Sequence, residues 1–235
     1  MAKRNSIWKF ENKEIDYTFA YGDEFYQEIV NNFQKNTKKR LFYKFVKRAF
    51  DIFASLLAII LLSPLLLCIA IAIKLDSKGP VLFKQSRIGL NGKIFTIYKF
   101  RSMRIDAPRD KDTEGFLDLD KYYTKVGGFL RKTSLDEFPQ FFNVLKGDMT
   151  FIGYRPVLIS DVASKQCNEI RSELGVFEMR PGISGYAQVI GRDNVYHKNR
   201  ALMDAHYVKN AGILMDLKLI FATVKVVFSR SGNVS

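Results

Sequence analysis

Apolar positions are sparse over the first forty residues, where Phe25, Ile29 and Phe33 recur at i, i+4 and i+8. That spacing predicts an amphipathic helix over about 23–36. The pattern changes at 49–73, an apolar run whose one charge is Asp51. By length alone this run could span a bilayer. Ser63-Pro64 interrupts its middle, where proline removes a backbone donor and bends or breaks a helix. The period then shortens. Residues 81–88 and 93–103 are rich in strand formers and are joined by Leu90-Asn91-Gly92-Lys93, a strong hairpin signal. A charged stretch at 104–124, with Pro108 and Gly115, reads as a surface loop, and Gly127-Gly128 as a tight entry to the segment starting at Arg131. Further on, 157–174 reads as a helix closed by Gly175, and 214–228 as an amphipathic helix whose apolar face could meet a membrane or the core.

The flanks of the apolar run decide how it meets a membrane. Lys38, Lys39, Arg40, Lys44, Lys47 and Arg48 precede it, and Lys74, Lys78, Lys84 and Arg87 come after it. Basic flanks are kept on the cytoplasmic side, and a crossing helix cannot place both there. A helix that enters one leaflet and turns back at Ser63-Pro64 can, with the Ser63 hydroxyl satisfying backbone freed at the bend.

Charge agrees with a surface partner. The 235 residues hold 37 Lys and Arg against 24 Asp and Glu, a net charge of +13. Such an excess calls for an anionic membrane, phosphorylated substrates or nucleic acid. No nucleic-acid motif is present, and a nucleic-acid binder would leave the apolar run without purpose. Hydrophobic content of 47%, with 20 Phe and 11 Tyr, excludes a disordered chain. Cys68 and Cys167 offer neither a disulfide framework nor metal-ligand spacing, and His197 and His206 read as surface residues. Residues 1–20 lack the apolar core of a cleavable leader. The acidic positions Asp106, Asp110, Asp112, Glu114, Asp118 and Asp120 lack calcium-loop spacing and read as solvated.

The candidate chemistry lies in 131–156, RKTSLDEFPQFFNVLKGDMTFIGYRP. Ser134 and Glu137 have capping-box spacing, while Pro139 favours a helix starting at Asp136. Either register puts Asp136 in a first helical turn, where free N–H groups suit a phosphate. Arg155 could clamp phosphate oxygens. Alternation places Lys99 and Arg101 on one strand face and Phe100 on the other. An acidic pair at a helix start is, by itself, usually only a cap.

The string of residues says more. Residues 131–156 resemble the core motif of the bacterial sugar transferase family, the monotopic polyprenyl-phosphate phosphoglycosyl transferases. The resemblance continues in KRAFDIFAS…SP at 47–64, GPVLFKQSRIGLNGKIFTIYKFRSM at 79–103, RPGISGYAQVIGRD at 180–193 and MDLKLIFATVKVV at 215–227. One departure is Tyr154, where the family usually has proline before Arg155.

The resemblance implies an α/β fold: a small antiparallel hairpin or sheet with surrounding helices, a re-entrant membrane helix broken at Ser63-Pro64, and amphipathic interfacial helices. It divides the chain into a polar appendage (1–40), the membrane helix (41–78) and a cytoplasmic catalytic domain (79–235). It implies transfer of a sugar phosphate from a UDP-sugar to polyprenyl phosphate at the bacterial inner membrane, with Mg2+ as cofactor. Asp136 would be nucleophile and metal ligand. Glu137 would act as acid–base, orienting or metal-holding residue. Lys99, Arg131 and Arg155 would meet phosphates, with Arg101 structural or lipid-facing. Pro181, Gly182, Gln188, Gly191 and Arg192 would belong to the nucleotide-sugar site, and Asp216 is either functional or a plain helix N-terminal acid. The donor sugar, the glycan pathway and the oligomeric state, a homo-oligomer included, stay open. The competing class is a non-catalytic basic anchor on anionic lipid, which explains the charge and the apolar run but not the matched acidic pair.

Overall fold

The computed structural model describes residues 37–107, 119–159, 162–191 and 197–231. The predicted helix at 23–36, Asp110, Asp112, Glu114, Asp118 and Arg192 lie outside them. In chain order come helix α1 (Thr37–Asp76), strands β1 (Leu82–Ile88) and β2 (Ile94–Phe100), α2 (Lys125–Lys132), α3 (Gln140–Lys146), β3 (Thr150–Ile152), α4 (Val162–Glu173), β4 (Gly182–Ser184), α5 (His197–Asn210) and α6 (Ile213–Ser231). Among the described residues the fold is mixed but rich in helix, with one small antiparallel sheet.

That sheet is the hairpin foreseen at Asn91-Gly92. β1 and β2 pair from Leu82↔Phe100 to Ile88↔Ile94. Asn91 (φ 54°) and Gly92 (φ 73°) both take the left-handed conformation that reverses the chain. A second pair is parallel, Thr150↔Gly182 and Ile152↔Ser184, and was not expected. Strands of three residues are too short to carry a period.

The apolar run lies within α1, one 40-residue helix long and apolar enough to cross a membrane by length and composition. Helical geometry runs through Ser63 and Pro64 without a gap. Pro64 cannot donate to the Ile60 carbonyl four residues back. The Ser63 hydroxyl donates to that carbonyl instead, at 2.8 Å.

Both ends of α1 are fastened to the same folded body. Near the start, Asp51 accepts from the Thr150 hydroxyl (3.0 Å) and the Phe151 N–H (3.1 Å), and Arg48 donates to the Val144 and Leu145 carbonyls. Near the end, Ile69 and Ile73 pack with Phe100 and Leu130, and Asp76 accepts from the Val126 N–H. Between these anchors Ile52, Phe53, Leu56, Leu57, Ile60, Leu61 and Leu65 are exposed. Arg101 belongs to the same fastening. It is buried and donates to the Lys78 and Ser77 carbonyls, which rules out a lipid-facing role.

Asn143 joins α3 to the edge of β2. Its amide donates to the Thr96 carbonyl at 2.7 Å and its carbonyl accepts from the Tyr98 N–H at 3.0 Å, so one side chain pairs with the strand edge as a neighbouring strand would. Ile97, Val144 and Met149 form the core beneath. A larger core gathers Ile152, Tyr154, Val176, Leu202, Met203 and Tyr207 between β3 and helices α5 and α6.

Gly127 and Gly128 lie inside α2 rather than forming a turn before it. A Cβ on Gly127 would sit 1.8 Å from the Ser102 carbonyl oxygen, whereas one on Gly128 would meet nothing within 4 Å. Gly127→Ala is therefore expected to destabilise by about 3 kcal/mol or more, and Gly128→Ala to stabilise by about 0.5–1 kcal/mol. Thermal melts of the two variants should move in opposite directions, and a fall of similar size in both would contradict this packing.

Candidate active site

The acidic pair sits in a single 3-10 turn, Leu135–Glu137, ahead of α3. The capping box expected at Ser134 and Glu137 does not form. Ser134 takes a left-handed conformation (φ 59°), its side chain caps nothing, and α3 starts only after Pro139. Asp136 is thus in a first helical turn, but not at the N-terminus of a helix long enough to present an anion site. The proline explains the shift: it has no N–H to donate, so the α-helical bonds begin only after it and the acids lie in the 3-10 turn ahead of them.

This turn brings three parts of the chain together. Glu137 Oε1 accepts from Lys99 Nζ at 2.8 Å and from an Arg155 guanidinium nitrogen at 3.2 Å. Lys99 is on β2, and Arg155 comes just after β3. Burial opposes ionisation of Glu137, but the Lys99 and Arg155 charges win and hold its carboxyl far below the usual range. Asp136 differs. It is 6% exposed, and no hydrogen bond to its carboxylate is found among the described residues. Burial pushes its pKa up, and the neighbouring Glu137 charge adds to that, while Lys99, Arg131 and Arg155 pull the other way. Two adjacent carboxylates therefore have unlike surroundings, one committed to cations and one uncommitted. Arg131 is exposed, with its guanidinium carbon 5.6 Å from the Tyr123 ring centroid.

The glycine-rich segment pairs with Gly153 and Tyr154, just ahead of Arg155. Pro181 bridges to Tyr154, the Gly182 N–H donates to the Tyr154 carbonyl at 2.8 Å, and the Gly153 N–H donates to the Ser184 carbonyl. A Cβ on Gly182 would be 2.1 Å from the Gly153 nitrogen, and one on Gly185 would be 1.8 Å from the Gly153 oxygen. These glycines allow backbone to meet backbone, a sufficient reason for them apart from any ligand. Gln188 and Gly191 lie in the π-helical turn Ala187–Gly191, with Gln188 donating to the Ile183 carbonyl at 3.3 Å.

Tyr154 does not loosen this arrangement. It is 1% exposed, edge-on to Phe177, and beneath the Arg171 guanidinium, whose carbon lies 5.2 Å from the ring centroid. Arg171 is in turn paired with Asp204 in the core. Packing holds the turn where a proline ring would otherwise stiffen it.

Asp216 is not with Asp136. It is buried against the start of α1, accepting from Tyr43 (2.8 Å), Lys47 (2.5 Å) and Tyr207 (2.6 Å). It ties α6 to α1 and α5, which is more than a plain helix N-terminal acid does. His206 is likewise not a simple surface residue: burial and the Lys209 charge push its pKa down to about 3, and its ring lies against Tyr186. The sequence reading missed Asn143 and the Tyr43–Lys47–Tyr207 set. The one local signal was an amide or a hydroxyl on an otherwise apolar helix face.

Among the described residues no three His, Cys, Asp or Glu side chains converge on a metal site. Asp136 alone would suffice for magnesium, which takes one or two carboxylates and completes its shell with water and phosphate oxygens.

Comparison with known proteins joins the geometry to a family. A family model described as bacterial sugar transferase matches residues 42–230. The undecaprenyl-phosphate galactose phosphotransferase of Salmonella typhimurium is 36% identical over 237 residues, covering 94% of this chain and 47% of that protein. The UDP-glucose:undecaprenyl-phosphate glucose-1-phosphate transferase of Escherichia coli is 40% identical over 187 residues, 77% of this chain and 40% of that protein. The exopolysaccharide production protein PSS of Rhizobium leguminosarum is 42% identical over 186 residues, 76% of this chain and 93% of that protein. The chain spans less than half the length of the first two relatives and overlaps nearly all of the third. Because the family match runs from the start of α1 almost to the end of α6 and takes in the Asp136–Glu137 turn, the chain belongs to the bacterial sugar transferase family.

Proposed function

We propose that this chain transfers a sugar 1-phosphate from a UDP-sugar to undecaprenyl or a similar polyprenyl phosphate, releasing UMP, in two steps at Asp136. The observation that carries the reading is the contrast between the two carboxylates: Glu137 bound by Lys99 and Arg155, and Asp136 buried beside them without a hydrogen bond among the described residues. In the first step an Asp136 oxygen attacks the phosphorus bearing the sugar, and the bond to the second phosphate breaks with UMP as leaving group. In the second, a phosphate oxygen of the polyprenyl phosphate attacks the same phosphorus and Asp136 is regenerated. Two bulky anions then use one site in turn. The cations beside Asp136 offset the negative charge that would otherwise keep a carboxylate from phosphorus.

Glu137 is a poor candidate for a base, since a carboxyl held far below its usual range takes up a proton weakly. Its two hydrogen bonds favour the orienting role, with Lys99 and Arg155 held ready for phosphate oxygens. Magnesium would be held by Asp136 together with the donor's diphosphate, and its chemistry there would be to neutralise phosphate charge.

The membrane reading is a re-entrant α1 with the folded body on the cytoplasmic face. Support comes from the anchors. From Ser55, which is fully buried, to Leu66, which packs in the cluster at the end of α1, the free stretch is about 10 residues, or roughly 15 Å of helix. A bilayer core is about 30 Å thick and needs about 20 residues. A body on one side holding both anchors leaves too little helix for a crossing.

Asp136→Asn is expected to abolish UMP release from a UDP-sugar in the presence of undecaprenyl phosphate while the melting transition is kept. Chelating divalent cations should silence the native chain in the same assay. Appreciable turnover by the variant would remove Asp136 as nucleophile. For topology, single cysteines at Phe45 and Lys78 should both react with an impermeant thiol reagent from the cytoplasmic side of sealed vesicles, and reaction from opposite sides would overturn the re-entrant reading.

A further inference from the structure

Two concavities adjoin along the N-terminal part of α1 and share the side chains of Lys47 and Asp51. One is a basic cavity of about 190 Å3 bounded by Lys44, Lys47, Arg48 and Arg180. The other is an apolar groove of about 100 Å3 between α1 and α6, with Val46, Phe50, Phe151, Leu217 and Ile220 in its walls. Two carboxylates also face the basic cavity. Asp51 is spent on Thr150 and the Phe151 N–H, and Glu178 is exposed. Four cations against these two acids and Asp216, which pairs with Lys47 from the adjoining groove, leave the cavity positive.

The cations differ in what they already hold. Arg48 donates to the Val144 and Leu145 carbonyls and Arg180 to that of Gly147, so both guanidiniums are fixed at the C-terminal end of α3. Each keeps further N–H groups beyond those bonds. Lys47 is paired with Asp216. Lys44 is exposed and makes no ion pair or hydrogen bond among the described residues. In the groove, Phe50 and Leu217 are 45% and 43% exposed, so its mouth is open.

We propose that this crevice binds one phospholipid with a negatively charged headgroup, its phosphate among Lys44, Arg48 and Arg180 and part of an acyl chain between α1 and α6. The juxtaposition is what selects an amphiphile. A soluble anion would fill the basic end and leave the groove wet, while a neutral lipid would fill the groove and leave the cations unpaired. At about 190 Å3 the basic end is large enough for a phosphodiester. The site is separate from the proposed active site, because Arg48 and Arg180 gather at the end of α3 whereas Asp136 precedes its start. A lipid held here would seat the start of α1 at headgroup depth on an anionic leaflet. The inference needs the fold and not the proposed reaction.

The test is native mass spectrometry of the full chain released from bilayers of mixed phosphatidylglycerol and phosphatidylcholine. The native chain should retain a single phosphatidylglycerol in about tenfold preference over phosphatidylcholine. Lys44→Glu should erase that preference and Lys44→Gln should reduce it, both at an exposed position where the fold is spared. Leu217→Gln should lower retention of both lipids while leaving the headgroup preference. Added glycerol 3-phosphate should not displace the lipid. Equal retention of the two lipids, an unchanged preference in Lys44→Glu, unchanged retention in Leu217→Gln, or displacement by glycerol 3-phosphate would each overturn the proposal.

Discussion

The arrangement depends first on one partly buried charge. Glu137 loses much of its hydration, and a buried carboxylate is tolerated only when cations and donors replace that water. Lys99 comes to it from β2 and Arg155 from the end of β3, so satisfying one charge fixes a strand, a turn and a loop relative to each other. Asn143 supports this by pinning α3 to the edge of β2 on either side of Ile97, which sets where Lys99 can reach. Asp136 is carried along by its neighbour and remains uncommitted. In the proposed reaction that difference separates the nucleophile from the residue that holds its cations.

A second constraint joins the site to the long apolar helix. Polar ties of Tyr43, Lys47, Arg48 and Asp51 hold the start of α1, and an apolar cluster with Arg101 holds its end. β2 is shared by both systems: Phe100 packs on the end of α1 while Lys99, one residue earlier, points to Glu137. Adjacent strand residues face opposite ways, so the same strand serves the helix on one face and the acidic pair on the other. The exposed apolar middle of α1 is then held at a fixed place relative to Asp136, as an enzyme proposed to take a lipid-bound substrate from the bilayer requires.

Much of the fold was legible from local chemistry. The Asn91-Gly92 hairpin, the helix end at Gly175 and the length of the apolar run follow from backbone preferences that act within a few residues. The juxtaposition of Lys99 and Arg155 with the acidic pair was suggested by resemblance. Its geometry could not come from spacing, since Lys99 and Arg155 lie 38 and 18 residues from Glu137. What failed to show were long-range effects. The S-x-x-E spacing promised a capping box, but Pro139 displaced the helix start and left Ser134 in a left-handed turn. The glycines at 182 and 185 looked like ligand contacts, yet their closest neighbour is Gly153. Asp216 read as ambiguous because its partners, Tyr43 and Lys47, are some 170 residues away. Tyr154 in place of proline makes sense only once Arg171 and Phe177 are seen against its ring.

The central claim is that Asp136 carries the phospho-sugar between the two substrates. Its most direct test leaves the acceptor out: the native chain is mixed with magnesium and its UDP-sugar, quenched, digested, and the peptide containing Asp136 is weighed. The account predicts UMP release equal to the amount of enzyme and a sugar-phosphate adduct on Asp136 that disappears when polyprenyl phosphate is added. Full turnover with acceptor, but neither UMP nor adduct without it, would mean direct transfer and would contradict the two-step account.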